Sequence, residues 1–248
     1  MTPVVSVITP CYNAAAYIAQ AIESVQTQTF GDWEMLIVDD GSTDDSAAII
    51  SCYQAVDARI RYIRMQTPSG SPTQPRNTAI SQAKGRFIAF LDSDDLWLPN
   101  KLEEQLRLFD ERTAIVFSDY ERIAEDGTRR GKVVRAPSSA TYRDLLKGNV
   151  IGNLTGIYDA QKVGKVYCQA VHHEDYVLWL SILKYGHMAR NTGEVHALYR
   201  VRSQSVSADK LQVITWQWHI YREVECLNWF QSVYYLLHYA LKAIRKRW

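Results

Sequence analysis

The chain is 248 residues long, which fits one large domain or two small ones. At 47% hydrophobic and 22% charged it has the composition of a packed globular protein, which excludes a disordered or fibrous one. Twenty-eight Lys and Arg balance 27 Asp and Glu, and the net charge of +1 excludes the electrostatic footprint of a duplex nucleic-acid binder. Four scattered cysteines with no C-x-x-C oppose a zinc knuckle or a dithiol site. With no secretory leader and no run of 18 apolar residues, a cytoplasmic protein without a membrane span is expected.

In chain order, residues 4–9 form a strand rich in β-branched side chains. Residues 14–28 then place Ala15, Ile18, Ala19, Ile22 and Val25 on one helical face. Residues 33–38 are a second buried strand, and Ser42 or Thr43 is positioned to cap a helix reaching Val56. A third strand (60–64), a Pro/Gly/Ser loop, a helix (76–83) and a strand (86–91) follow, and Pro99 suits the first turn of another helix. The second half predicts strands at 115–119, 155–158 and 196–201, a turn at 125–128, and helices at 142–147 and 173–184.

Strands separated by helices of this length predict an α/β fold with right-handed crossovers and a mixed, mainly parallel sheet. Ligands in such folds bind beyond the carboxyl ends of the strands. Two acidic clusters fall there, Asp39-Asp40 and Asp92-Ser93-Asp94-Asp95. Neither G-x-G-x-x-G nor G-K-[ST] is present, which argues against a dinucleotide dehydrogenase or a P-loop NTPase. Three carboxylates within four positions repel one another, and a hard divalent cation with open positions for phosphate relieves that repulsion. A solvated turn with a helix cap is the plain alternative.

VSVITPCYN near the N-terminus, LIVDDGSTDDS at 36–46, PRNTAI at 75–80 and GRFIAFLDSDD at 85–95 occur together and in order. This set resembles family 2 glycosyltransferases of the GT-A fold over most of residues 4–207. The resemblance implies a catalytic domain at 1–207, made of a nucleotide-binding half (1–95) and an acceptor half (96–207), followed by a helical tail (208–248). It implies inverting transfer of a sugar from a UDP-sugar with Mn²⁺ or Mg²⁺, and it implies roles for particular residues. Asp40, with Asp39 beside it, matches the acid that reads the uracil N3–H. Thr9, Pro10 and Tyr12 match the loop against the base, although Tyr12 equally suits a core position. Arg76 matches an Arg near the nucleotide, Asp92 the ribose contact and Asp94 the metal ligand.

His172-His173-Glu174-Asp175-Tyr176 looks like the E-D motif of the same family, in which Asp175 is the catalytic base and Glu174 positions the acceptor. Inversion needs a base on the face opposite the leaving group. His172 and His173 read as surface or acceptor contacts and stay outside the metal site. Arg202 stands where many members carry His; it cannot ligate a metal, but its fork can neutralise a diphosphate. The tail carries Trp216, Trp218, Tyr221, Trp229, Phe230, Tyr234, Tyr235, Tyr239 and Trp248 and ends in Lys242, Arg245, Lys246 and Arg247. It suits either the lipid headgroup zone or packing on the catalytic domain or a second subunit. A lipid-linked saccharide acceptor in surface polysaccharide assembly follows from the resemblance and the tail together. The rival readings are a sugar-1-phosphate nucleotidyltransferase, which would release pyrophosphate, and a non-catalytic UDP-sugar-binding subunit, which would tolerate loss of Asp175.

Overall fold

A computed structural model of the chain describes residues 2–202 and 210–245. Residues 203–209 and the terminal Lys246, Arg247 and Trp248 lie outside the described residues. Strands β1 (Val5–Cys11), β2 (Trp33–Asp39), β3 (Ile60–Arg64) and β4 (Phe87–Phe90) are parallel and lie in the order β3-β2-β1-β4. Helices α1 (Ile18–Gln26), α2 (Ser46–Val56) and α3 (Thr73–Gln82) connect them.

β1 and β2 are buried along their whole length, which is why both read as continuous runs without polar alternation. Successive side chains serve opposite layers. Met35 and Ile37 pack with Ile18 and Ile22 of α1, whereas Leu36 and Val38 pack with Ala79 and Ile80 of α3. Each such buried aliphatic side chain contributes about 1.5–3 kcal/mol. Because β2 and β4 flank β1 on opposite sides, the winding reverses beside β1 and leaves a crevice at the carboxyl ends of the strands.

The second half comprises β5 (Leu96–Trp97), α4 (Lys101–Leu106), β6 (Thr113–Ile123), β7 (Arg129–Val134), β8 (Ser139–Ala140), α5 (Tyr142–Leu146), β9 (Ile157–Asp159), α6 (Ala160–Val163), α7 (Glu174–Leu183) and β10 (Met188–Arg200). It extends the sheet as β4-β9-β6-β10-β5. β9 is antiparallel to both of its neighbours, while β6 and β10 form a long parallel ladder. The expected turn at 125–128 joins β6 to β7, with Gly127 at φ 87°. α7 lies on the α3 side of the sheet, where Trp179 meets Phe90 edge-on with ring centres 5.5 Å apart.

Two expectations change. α2 begins at Ser46 and not at Ser42 or Thr43, because Asn13 holds that loop against β1. The Asn13 N–H donates to the Ser42 hydroxyl at 3.0 Å, and the Thr43 N–H donates to the Asn13 side chain at 2.9 Å. The tail is not one helix but α8 (Lys210–His219), a π-helical turn (Ile220–Val224) and α9 (Trp229–Arg245). Its first part is packed on the catalytic body. Tyr221 is fully buried and donates to the Leu146 carbonyl, and Glu225 accepts from Tyr142 at 2.6 Å and pairs with Lys184 at 3.0 Å.

Candidate active site

Two clefts lie side by side on the carboxyl edge of the sheet. The first, about 660 Å³, is built from the loops that follow β1, β2 and β4 and from the start of α3. Pro10, Tyr12, Asp40, Arg76, Asp92, Asp94 and Arg202 all line it, so seven residues expected near the nucleotide from five separate segments meet there. Tyr12 is 59% exposed, which removes the core reading of its ring. Thr9 and Asp39 do not line the cleft. Thr9 is buried within β1. Asp39 closes the end of β2 by accepting from the Ser42 N–H and the Tyr62 hydroxyl, both at 2.7 Å. Burial and that bond push the Tyr62 hydroxyl up to about 12.

Asp40 reaches the cleft beside Cys11, whose carbonyl accepts its N–H at 2.9 Å. Its carboxylate accepts from the Ser69 N–H (2.7 Å), the Ser69 hydroxyl (3.0 Å) and the Gly70 N–H (2.9 Å). The loop between β3 and α3 is thereby tied over the end of β2. A carboxylate offers about four acceptor positions, so one is left for a further donor.

The acidic loop is held from β10. Asp95 is buried and accepts the Arg200 N–H at 2.9 Å. The Arg200 guanidinium donates to the carbonyls of Asp94 and Glu125 and to the Gln20 side chain, at 2.7–2.8 Å. Arg200 was not among the expected site residues, although it stands two positions before Arg202; its role comes from the return of β10 beside the acidic loop. Burial, followed by the charges of Asp92 and Asp94, raises the Asp95 carboxyl well above the ordinary range. Burial and the Asp92 charge also raise Asp94, whose side chain has the Arg202 guanidinium 3.6 Å away.

Among the described residues no three metal-binding side chains converge. Asp92 and Asp94 nevertheless fit Mg²⁺ or Mn²⁺, which are held by one or two carboxylates with phosphate and water completing the shell. Burial and the neighbouring Asp92 charge both disfavour the ionised Asp94 carboxylate, and a bound divalent ion would offset both.

The second cleft, about 710 Å³, includes Tyr120, Asn149, Gly152, His173, Asp175, Gln217, Tyr239 and Lys242 in its walls. Asp175 stands in the first turn of α7 with Asn149 Nδ2 at 3.4 Å, and burial, reinforced by the neighbouring Glu174 charge, pushes its carboxyl up to about 6. Glu174 does not point freely at an acceptor. Its carboxylate takes Arg76 Nη1 at 2.5 Å, while Arg76 Nη2 donates to Asp92 at 2.6 Å. Burial works against the Arg76 charge, but the two carboxylates outweigh it and hold the proton more tightly than usual. This three-residue bridge links the two clefts: Arg76 and Asp92 line the first, and Glu174 is followed in the chain by Asp175, which lines the second. Asn149, Trp216, Gln217 and Tyr239 also belong to the second cleft or its rim, and none of them sits in a recognisable motif.

A family model described as glycosyl transferase family 2 matches residues 6–169. A Bacillus subtilis glycosyltransferase named for teichuronic acid biosynthesis, TuaG, is 41% identical, covering 99% of this chain and 98% of that one. The Escherichia coli UDP-Glc:alpha-D-GlcNAc-diphosphoundecaprenol beta-1,3-glucosyltransferase WfgD is 39% identical over 98% of this chain and 94% of its own. Among solved structures, S. aureus TarS in complex with UDP-GlcNAc superposes with a TM-score of 0.73 at 22% identity, over 95% of this chain and 71% of that one. A mannosyltransferase from Pyrobaculum calidifontis in complex with GDP-Man and Mn²⁺ gives a TM-score of 0.69 at 17% identity, covering 92% of this chain and 66% of its own.

Proposed function

The chain belongs to glycosyl transferase family 2, and on that premise we propose that it transfers a sugar, with inversion, from a UDP-sugar to a saccharide carried on a lipid diphosphate. The WfgD relative is named for such a reaction, and TuaG for a cell-surface polymer. The observation that carries this reading is the placement of Asp175. A carboxylate of raised proton affinity lines one cleft and is joined through Glu174, Arg76 and Asp92 to the next, which the nucleotide-motif residues line.

In this reading Pro10 and Tyr12 flank the uracil, and the remaining acceptor position of Asp40 takes its N3–H. Thr9 and Asp39 support those loops from behind. Asp92 meets the ribose, and Asp94 holds the divalent ion. When bound, that ion offsets the charge that gathers on the β-phosphate. Arg202 adds a fixed positive charge on the same side, where a guanidinium suits phosphate oxygens. Asp175 takes the proton of the acceptor hydroxyl as its oxygen bonds to the anomeric carbon. The bond from that carbon to the β-phosphate oxygen breaks, and its electron pair leaves with UDP. A base near pKa 6 is largely ionised at neutral pH and still basic enough to take a hydroxyl proton as it is lost.

The workplace proposed is the cytoplasmic face of a membrane. Among the described residues no helix is long and apolar enough to cross one. α9, however, exposes Phe230 (79%), Tyr234, Leu237 and Leu241, spaced as one helical stripe. The sequence beyond carries Arg245, Lys246 and Arg247, which complement anionic lipid. The same helix lines the second cleft with Tyr239 and Lys242, so a lipid-borne acceptor would arrive beside the bilayer contact. We assign residues 1–95 to the donor, 96–207 to the acceptor and 208–248 to this docking and wall-forming role.

The test is to incubate the protein with UDP-glucose, UDP-galactose or their N-acetyl forms, Mn²⁺, and a GlcNAc-diphosphoryl lipid. Release of UDP coupled to a longer saccharide is expected with one donor. Release of pyrophosphate, or binding without turnover across all four donors, would overturn the reading.

A further inference from the structure

α7 begins in an unusual way. Its N-cap residue, His173, sits at φ 61° and ψ 46°, in the left-handed region. A residue with a Cβ is disfavoured there, and Gly, Asn or Asp fill such positions at lower cost. The side chain does not act as a cap, since it makes no capping hydrogen bond. Nor does its ring satisfy itself within the protein: Nε2 is buried and has no hydrogen-bond partner. A buried polar atom without a partner is costly unless something absent from the protein supplies one.

The ring is nevertheless held in place. Trp216 of α8 stacks on His172 with ring centres 3.9 Å apart and meets the His173 ring edge-on at 5.7 Å. The next residue of α8, Gln217, donates to the Tyr176 hydroxyl at 3.3 Å. Strain, an unpartnered nitrogen and a purpose-built aromatic support thus coincide at one residue in the wall of the second cleft, two positions before Asp175.

We propose that His173 is an acceptor-binding residue whose Nε2 hydrogen-bonds a hydroxyl of the acceptor sugar and so presents the reacting hydroxyl to Asp175. The inference rests on the second cleft being the acceptor site. Burial holds the imidazole below its ordinary pKa, so at neutral pH the ring is the uncharged form that pairs with a sugar hydroxyl. The tail then has a share in acceptor choice, because Trp216 fixes the ring.

Three variants separate this from a structural role. His173→Gly removes the ring and relieves the backbone, His173→Asn keeps a short polar group that tolerates the left-handed region, and His173→Ala removes the ring without relief. With the GlcNAc-diphosphoryl lipid as acceptor, KM for the acceptor is expected to rise about tenfold in the Gly and Ala variants, the size of one lost hydrogen bond. The Asn variant should recover part of that loss. The Kd for UDP should stay within threefold of the parent, and the Gly variant should melt no lower than the parent. Unchanged acceptor KM and kcat in the Gly and Asn variants would overturn the proposal, as would a Gly variant that melts well below the parent. An unmodified protein that transfers to no acceptor would instead remove the proposed function, and the role of His173 with it.

Discussion

Arg76 Nη1 lies 2.5 Å from Glu174 Oε1, which ties the start of α3 to the first turn of α7 across 98 residues of chain. Since the other arm of the same guanidinium holds Asp92, one buried side chain sets the spacing between the donor loop and the turn that carries Asp175. A planar fork with two outward donors can span two carboxylates, whereas an ammonium cannot hold both in a fixed plane.

Replacing Arg76 should therefore cost both stability and turnover. Arg76→Ala leaves Asp92 and Glu174 facing each other without a cation, and the loss is expected to be about 3 kcal/mol. Arg76→Lys keeps the charge, so it should lose less stability but still lower kcat/KM at least tenfold. Urea denaturation alongside transfer kinetics checks both. A Lys variant with parental kinetics would mean that the fork geometry is unimportant.

Asp175→Asn keeps the size of the side chain and removes the base. General base catalysis contributes typically about 10²–10⁴-fold, so kcat should fall by that factor while the Kd for UDP stays within about threefold. In the parent, log(kcat/KM) should rise with pH to a plateau above about 6, because only the ionised carboxylate accepts the proton. A flat profile between pH 5 and 7 would remove Asp175 from the role.

The same residue carries a stability cost. Its pKa is raised from 3.8 to about 6 on folding, so the folded state holds its proton more tightly and this contribution to stability is lost as pH rises from about 4 to above 6. At pH 7.5 the Asn variant should then be more stable than the parent, by about 1–3 kcal/mol, with the difference shrinking toward pH 4. Thermal melts of both proteins across that range are the check. A parent equally or more stable at pH 7.5 contradicts the assignment.

Metal dependence should be legible in binding alone. Calorimetry of UDP with Mn²⁺ and with a chelator is expected to show much weaker binding without the ion, and Asp94→Asn should bind equally weakly in both conditions. Equal affinity of the parent in both would leave Arg202 as the cationic partner of the diphosphate and take the ion away from Asp94.

The apolar stripe of α9 should govern membrane contact. Leu237→Glu with Leu241→Glu removes two exposed Leu side chains, each worth up to about 1.5–3 kcal/mol when buried. Sedimentation with vesicles containing anionic lipid should fall more than tenfold, while the melting temperature hardly moves because both side chains are exposed in solution. Unchanged sedimentation would reject the bilayer contact.

The sequence by itself determined the parallel strands of the first half, the burial of β1 and β2 and the ends at which chemistry gathers, whereas β5, β7, β8 and the first half of β10 were not marked. Runs such as those of β1 and β2 are continuous because both faces are covered, and the acids that follow them must then fall at the carboxyl edge. The pairing of Glu174 with Arg76 was not legible, since hydrogen bonds between residues 98 positions apart leave no local pattern. Nor was the withdrawal of Asp39 and Thr9 from the cleft, which depends on the partners the fold brings up, Tyr62 for one and the strand interior for the other. The tail shows the division most clearly. Its aromatic content suited lipid and protein equally, because composition does not say which face of a helix finds a partner. Tertiary packing decided: Gln217, Ile220 and Tyr221 are buried on the catalytic body, Trp216 braces His173, and α9 keeps an apolar stripe in solvent.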